Sequence, residues 1–490
     1  MLTIQEIKTF IDNDAASPKK QLARVGDRYY NAEHDIKDYR IFFVDAEGNL
    51  QEDKTRWNAR ISHPFFTENV DQTVQYLLSG EDGFVRSDIP ELQSELDAYF
   101  NENEDFMTEL YDLLTGCVSK GFENMYAYKN AEYRTAFQCA DSLGVVEVRA
   151  KDTDDGCEYV IYCYVDRIGK DGKKIKRIQV WDSKQIYYYC QDGEGKIEKD
   201  ASEKVNPKPH ILYKKDGDEA TYYEDFGFIP FFRIDNNKKQ TSGLKPIKGL
   251  IDDYDLMACG LSNNIQDTNE ALYVVKGFQG DDLDELMVNI KAKKHIGVDE
   301  DGGVDIKTVD IPYEARKAKL EIDEKDIYRF GFALNTSGLK DTNATTNLAI
   351  KTAYIQLGLK ANKLKERLKR FMRKLLKVVL AEINDREGTD YQQKDVYFKF
   401  DFEIPVNEQE NAQIALTEAQ TRQTEINTLL NIATQLDNET LMQLICEQLD
   451  IDYEDIKDKL PAQEDPDPYG AQNVLDGVQT DPVPGGGVIE

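Results

Sequence analysis

The stretch Leu334–Leu380, LNTSGLKDTNATTNLAIKTAYIQLGLKANKLKERLKRFMRKLLKVVL, decides how the rest of the chain is read. The 490-residue chain has a formal net charge of −31, yet after Asn347 this stretch holds ten Lys or Arg and a single acid, Glu366. Residues 347–383 contain no Pro and only one Gly, Gly358. Ile350, Tyr354, Leu357, Ala361, Leu364, Leu368, Phe371, Leu375 and Val378 recur in steps of four and three, an a/d seam over about four heptads. The pattern predicts a helix over 347–384, roughly 50–60 Å long at 1.5 Å per residue. That length suits an element that spans an assembly better than one inside a compact domain. The cations sit off the seam. They suit a solvated coiled-coil flank, a membrane-surface helix, or a flank set against acidic surface on neighbouring copies. A seam without Trp and with one Phe disfavours the membrane. The segment before the helix, Asn335–Thr346, is polar, with Leu339 its only large apolar residue. Such a composition predicts an exposed connection.

The remaining composition bounds the class. With 40% hydrophobic and 31% charged residues the chain reads as globular, long enough for two to four domains. No run approaches the ~18 apolar residues of a membrane span, and MLTIQEIKTFIDND lacks the basic-then-apolar order of a signal peptide. Synthesis in the cytoplasm is the expectation. The seven cysteines are scattered without a CxxC pair, so reduced thiols rather than a zinc site are expected. Cys157 and Cys163 in CEYVIYC are placed by alternation on one face of a strand. The acidic balance excludes a generic DNA-coating protein, which needs clustered cations to displace counterions from phosphates.

Along the chain, a first helix (TIQEIKTFID) and a mixed aromatic stretch precede ISHPFFTENVDQTVQYLLSGE. There Phe66, Val70, Val74 and Leu77 have helical spacing. ELQSELDAYFNENEDFMTELYDLLTGCVSKGFENMYAYKN reads as two more helices. From about Thr135 to Ile234, VVEVRA, EYVIYCYVDRI, KIKRIQVWD, QIYYYCQ and ILYKK are short strands of a meander separated by Gly/Asp turns. LKPIKGLIDDYDLMACGLSNNIQDTNEAL is helical. A small α/β module follows, with VDEDGGVDI as a hairpin turning at Gly302-Gly303, and then a charged helix opened by Pro312. After the long helix, DVYFKFDFEIPVN reads as a strand and about 408–460 as helices. The Pro/Gly/Asp-rich residues 461–490 are expected to be disordered. The fold class is α+β.

Catalytic and metal signatures are missing. No G-x-x-x-x-G-K-[ST] phosphate loop occurs, nor a G-x-S-x-G elbow. The four histidines, His34, His63, His210 and His295, stand far apart in sequence, and His63 before Pro64 reads as packing beside a turn. The acidic runs lack the twelve-residue spacing of a calcium loop. No catalytic residue, metal or cofactor is assigned, and no enzymatic activity is expected. A packaging nuclease would need metal-binding carboxylates gathered at strand ends, and here they are dispersed.

Three stretches in this order resemble the portal proteins of tailed bacteriophages, nearest the branch found in siphophages of Gram-positive hosts. They are ISHPFFTENVDQTVQYLLSGE (61–81), FGFIPFFRIDNNKKQTSGLKPIKGLIDDYDLMACGLSNNIQD (226–267) and FALNTSGLKDTNATTNLAIKTAYIQLGLKANK (332–363). The likeness runs from about residue 20 to about 460. It implies a ring, typically a dodecamer, around double-stranded DNA at one capsid vertex, for packaging and ejection. It also implies a division into wing (1–245), first stem helix (246–269), clip (270–311), second stem helix (312–331), wing again (332–405), crown (406–460) and acidic tail (461–490). The second wing part would contain the tunnel loop 335–346 and the long helix 347–384. The resemblance places Asn335, Thr336, Ser337, Lys340, Asp341, Asn343 and Thr345 in the tunnel loop facing DNA. Lys291, Lys293, Lys294, Asp299, Glu300 and Asp301 fall in the clip, where partners dock. Implied partners are further copies of the chain, the terminase large subunit, head-completion or adaptor proteins, and the major capsid and scaffolding proteins, in the virion and without a membrane. The alternative is another ring-forming virion connector or scaffold that does not translocate DNA.

Overall fold

The computed structural model describes residues 1–448 apart from 46, 55, 81–82, 150–155, 169–171, 173, 215–220, 269–271, 279–297, 308–311, 336–346, 403–407 and 432–437. The chain divides into two compact units, Met1–Pro405 and Val406–Glu490. In the first, α1 (Ile4–Ala16) opens with a capping box in which Thr3 and Glu6 satisfy each other's backbone N–H groups. Ser17 then caps α2 (Pro18–Tyr30), with Pro18 in the first turn. A short hairpin, β1 (Phe42–Val44) with β2 (Leu50–Glu52), has exposed residues throughout. Next come α3 (Phe65–Leu77), β3 (Val85–Arg86), α4 (Pro90–Leu96) and α5 (Glu104–Lys120).

Helix α5 ends at Gly121, whose φ of +97° is the left-handed conformation that suits glycine. A Cβ there would lie 2.6 Å from the Gln240 carbonyl oxygen. The chain then turns into β4 (Phe122–Lys129) rather than continuing the expected helix, and β5 (Thr135–Ala140) pairs with it. The strand character of FENMYAYK comes from its alternation: Met125 and Ala127 point into the main core, while Tyr126 stacks on Phe231 in another.

The meander follows as expected: β6 (Val145–Arg149), β7 (Cys157–Ile168), β8 (Lys174–Trp181), β9 (Gln185–Gln191) and β10 (Ile197–Lys199) are neighbours in chain order. Strand β11 (Lys208–Pro209) joins β9, β12 (Ile211–Lys214) pairs with β13 (Thr221–Glu224), and β14 (Phe231–Asp235) closes a sheet of order β14-β4-β5. Cys157 and Cys163 do not share a face. Val148 pairs with Tyr159 and Arg149 with Cys157, so a bulge at Glu158 reverses the alternation. Cys157 lies against the cluster around Trp181, and Cys163 against the one around Ile161 and Ile7.

Helix α6 (Lys248–Thr268), β15 (Leu272–Phe278), β16 (Val298–Lys307), α7 (Tyr313–Gly331) and α8 (Asn347–Glu387) come next, followed by β17 (Tyr397–Phe398). Strands β15 and β16 are antiparallel, and Gly303 sits opposite Lys276. Gly302-Gly303 therefore lies within β16, at an irregularity in its register with β15, and not at a hairpin tip. In DVYFKFDFEIPVN, Tyr397 and Phe398 pair with β3 and the Lys399 N–H donates to the Phe84 carbonyl at 2.9 Å; residues 403–407 lie outside the described ones. Phe400 and Phe402 instead stack on Phe84 and Tyr76, each with ring centroids 5.0 Å apart.

The 41-residue α8 belongs to the first unit's core rather than to a separate coiled coil. The predicted seam from Leu357 to Val378 is buried, and so are Met372, Leu376, Val379, Leu380 and Ile383, which widen the stripe beyond a and d. From Leu364 onward these side chains meet those of α3, α5 and β4 in one cluster, while Leu357 and Ala361 pack with Tyr76 in another; each large aliphatic contributes about 1.5–3 kcal/mol. In the second unit, α9 (Glu408–Asn431) and α10 (Asn438–Gln448) contact each other.

Candidate functional site

One face of α6 holds the segment that runs from α2 to α3. Lys248, Asp252, Asp255, Cys259 and Asn263 recur in steps of four and three, which aligns them on a helix. Lys248 Nζ donates to Asp35 (2.6 Å) and Asp252 (2.7 Å), and the Tyr29 hydroxyl donates to Asp252. Cys259 Sγ lies 3.2 Å from the Ile61 N–H, and Asn263 Oδ1 accepts from the Ala59 N–H at 2.7 Å.

At the centre, Asp255 is fully buried. Its Oδ2 is 2.6 Å from His34 Nδ1, and its Oδ1 accepts from the His63 N–H at 3.0 Å and lies 2.7 Å from His63 Nδ1. An ionised carboxylate only accepts, so each Nδ1 carries the proton. His34 Nε2 is buried and has no hydrogen-bond partner among the described residues. Burial alone would raise the Asp255 pKa; the donors from His34 and His63 win, and its carboxyl is held below the ordinary range. Tyr29 stacks on His34 with centroids 4.5 Å apart. Two of the four histidines that look isolated in sequence, His34 and His63, thus converge on one acid.

Helices α6 and α7 run against each other. Lys319 of α7 bridges Asp253 of α6 and the buried Asp323, at 2.5 Å each. Phe65, Tyr254 and Tyr328 meet edge to face and tie the start of α3 to both helices.

The junction from α7 toward α8 is clamped by both α3 and α8. Phe332 ends α7 at a φ of +56°, a conformation more often taken by glycine. The Gly331 carbonyl accepts from Asn69 Nδ2 (3.0 Å) and Lys360 Nζ (3.1 Å), and Lys360 also donates to Asn69 Oδ1. A Cβ on Gly331 would fall 2.2 Å from Asn69 Nδ2, so any larger residue would displace the Asn69 amide from the clamp. Gln72 exchanges two hydrogen bonds with the Leu334 backbone, of 2.8 and 3.0 Å. Asn335, where the predicted loop begins, donates to Glu324 at 3.3 Å.

Thr336, Ser337, Lys340, Asp341, Asn343 and Thr345 lie outside the described residues, as do Lys291, Lys293 and Lys294. Asp299, Glu300 and Asp301 lie on β16. Sequence reasoning missed Asn69, Gln72, Gly331 and Lys360. Gly331, the last residue of a charged helix, carried the only local signal.

Burial pulls the Lys360 pKa from its usual 10.5 to about 7. The unfolded chain therefore holds a proton that the folded protein lacks between these values. Stability rises with pH wherever the unfolded state binds more protons. The melting temperature of the wild type, relative to Lys360→Met, is expected to increase from pH 7 to about pH 10 and level off near the free-lysine pKa. A difference that stays flat over that range contradicts a desolvated ammonium.

These contacts position elements; they do not form a nucleophile–base pair. Among the described residues no group of three or more His, Cys, Asp or Glu is arranged to hold a metal ion. Likewise, no helix is long and apolar enough to cross a membrane.

Residues 11–456 match the family described as "Phage portal protein, SPP1 Gp6-like". The portal protein of Bacillus phage SPP1 is 28% identical over 351 residues, 71% of this chain and 67% of that protein. The portal protein of Clostridium phage phiCD119 is 26% identical over 433 residues, 84% of this chain and 89% of that one. Among solved structures, a chain from the neck of a native GTA particle aligns with 78% of this chain and 89% of its own length. At 12% identity and a TM-score of 0.38 that likeness is too low to bear on the fold. With the family matched from residue 11 to residue 456, the chain belongs to the SPP1 Gp6-like phage portal proteins.

Proposed function

We propose that copies of this chain form a ring around double-stranded DNA at a capsid vertex, through which the genome is packaged and ejected. The observation that carries the reading is the order α6, β15–β16, α7, clamped junction, α8. In the ring, α6 and α7 within 246–269 and 312–331 are the stem, 270–311 is the clip, and 335–346 is the tunnel loop. The wing comprises 1–245 and 332–405, the crown 406–460, and residues 461–490 form an acidic tail. The contacts of Asp255 fix the stem pair to the wing, Lys319 ties the two stem helices to each other, and the Gly331 clamp fixes where the tunnel loop leaves. The clip residues Lys291, Lys293, Lys294, Asp299, Glu300 and Asp301 mix both charge signs, which suits exchangeable polar contacts with the terminase and later with head-completion proteins.

The test is an image of the purified chain in negative stain. Rings with a central hole are expected, typically of twelve copies by analogy. A population that remains monomeric at all concentrations overturns the reading.

A further inference from the structure

A basic groove of about 510 Å³ lies between α8, β14 and the edge of the meander. Arg149, Arg233, Arg367, Arg370 and Lys374 line it, against two carboxylates, Glu147 and Asp235. Both carboxylates are engaged by Arg233. Arg367, Arg370 and Lys374 make no ion pair among the described residues. Lys19 borders a smaller adjoining cavity that shares Glu147, Arg149 and Arg233. Burial and the positive charge of Arg370 and Arg233 lower the Lys374 pKa. Burial, with Arg233 next, brings Lys19 down to about 8. In a chain of net charge −31, cations that repel one another at a concave site are unusual. Such a site gains from an anionic occupant that arrives from outside the fold.

The same unit carries a complementary surface. On α5, Glu104, Asp105 and Asp112 are exposed, with Glu109 half-buried among them. Asp105 and Glu109 are four residues apart, a like-charge spacing that disfavours the helix. None of these acids has an ion pair among the described residues. Tyr111 and Tyr128, 36% and 37% exposed, offer ring edges and hydroxyls beside them.

We infer that the groove of one copy receives the acidic α5 face of a second copy, a head-to-tail contact between two different surfaces. Repetition of such a contact closes a ring when the rotation allows. The inference rests on the ring proposed above and names the charges that direct it. Duplex DNA is the less favoured occupant. It carries one charge per ~1.7 Å of axis and would have to approach a strongly acidic protein along its length, whereas an α5 face brings a short row of carboxylates.

The test is charge reversal, read by negative stain and by mass in solution. Arg367→Glu with Arg370→Glu is expected to yield folded monomers, as is Asp105→Lys with Asp112→Lys. A chain bearing all four changes is expected to recover rings. Assembly of either pair like the wild type overturns the inference. So does a folded four-fold variant that stays monomeric, or a groove variant that keeps its rings and loses only affinity for a short DNA duplex. Should the reversal unfold the chain, Arg367→Gln with Arg370→Gln replaces it. That variant is expected to raise the concentration at which rings form, and unchanged assembly overturns the proposal. Absence of rings in the wild type instead removes the ring reading itself.

Discussion

Asp255→Asn is expected to destabilise the first unit by about 3–5 kcal/mol, the usual cost of removing one partner from a buried charged network. The carboxylate accepts from two imidazoles and one backbone N–H. An amide offers one oxygen for these three donors and turns its own N–H₂ toward one of them. His34, with no exposed surface, cannot turn to water for a replacement. The loss is measured by urea unfolding and by a melting temperature lower by several degrees. The pH dependence has a definite sign. The folded pKa is held below the ordinary value by the His34 and His63 donors. The stabilisation is therefore complete above the ordinary carboxylate range near ~3.9 and is lost as pH falls through the folded pKa. The gap between wild type and variant should close in strong acid. A variant as stable as the wild type at pH 7 would show that the cluster does not hold α6 in place.

Deleting Ser337–Asn343 is expected to leave rings intact and to abolish stable packaging of DNA. These residues lie outside the described ones. Lys340 and Asp341 nearly cancel in charge, and the flanking hydroxyls and amides exchange water-mediated contacts with phosphates at little cost. A ring of such segments would contact DNA without gripping it. The anchoring before the loop is independent of it: Gly331 and Leu334 are held by Asn69, Gln72 and Lys360 on α3 and α8. Assembly should therefore survive the deletion. Packaged DNA recovered from particles built with the variant is the measurement. Normal yields would remove the tunnel-loop assignment and leave family membership untouched.

The sequence by itself determined the helices and most of the meander. The stripes Phe66–Leu77 and Leu357–Val378 are local periodicities, and burial follows them; the meander strands are β-branched and aromatic runs set between Gly/Asp turns. The family too was legible, because its stretches recur in order along the chain. Departures arose where one residue overrode a local pattern. Gly121 turned a helix into β4, Glu158 reversed the faces of Cys157 and Cys163, and the pairing of Gly303 with Lys276 kept a Gly-Gly step inside a strand. The site depended on tertiary structure throughout. His34 and His63 lie 221 and 192 residues from Asp255, and Asn69 lies 291 residues from Lys360. No periodicity connects positions so distant. Only the packing of α6 onto the chain between α2 and α3, and of α8 onto α3, brings them within hydrogen-bonding range; there the His34 and His63 donors outweigh burial and hold the Asp255 pKa down, while burial by itself lowers that of Lys360.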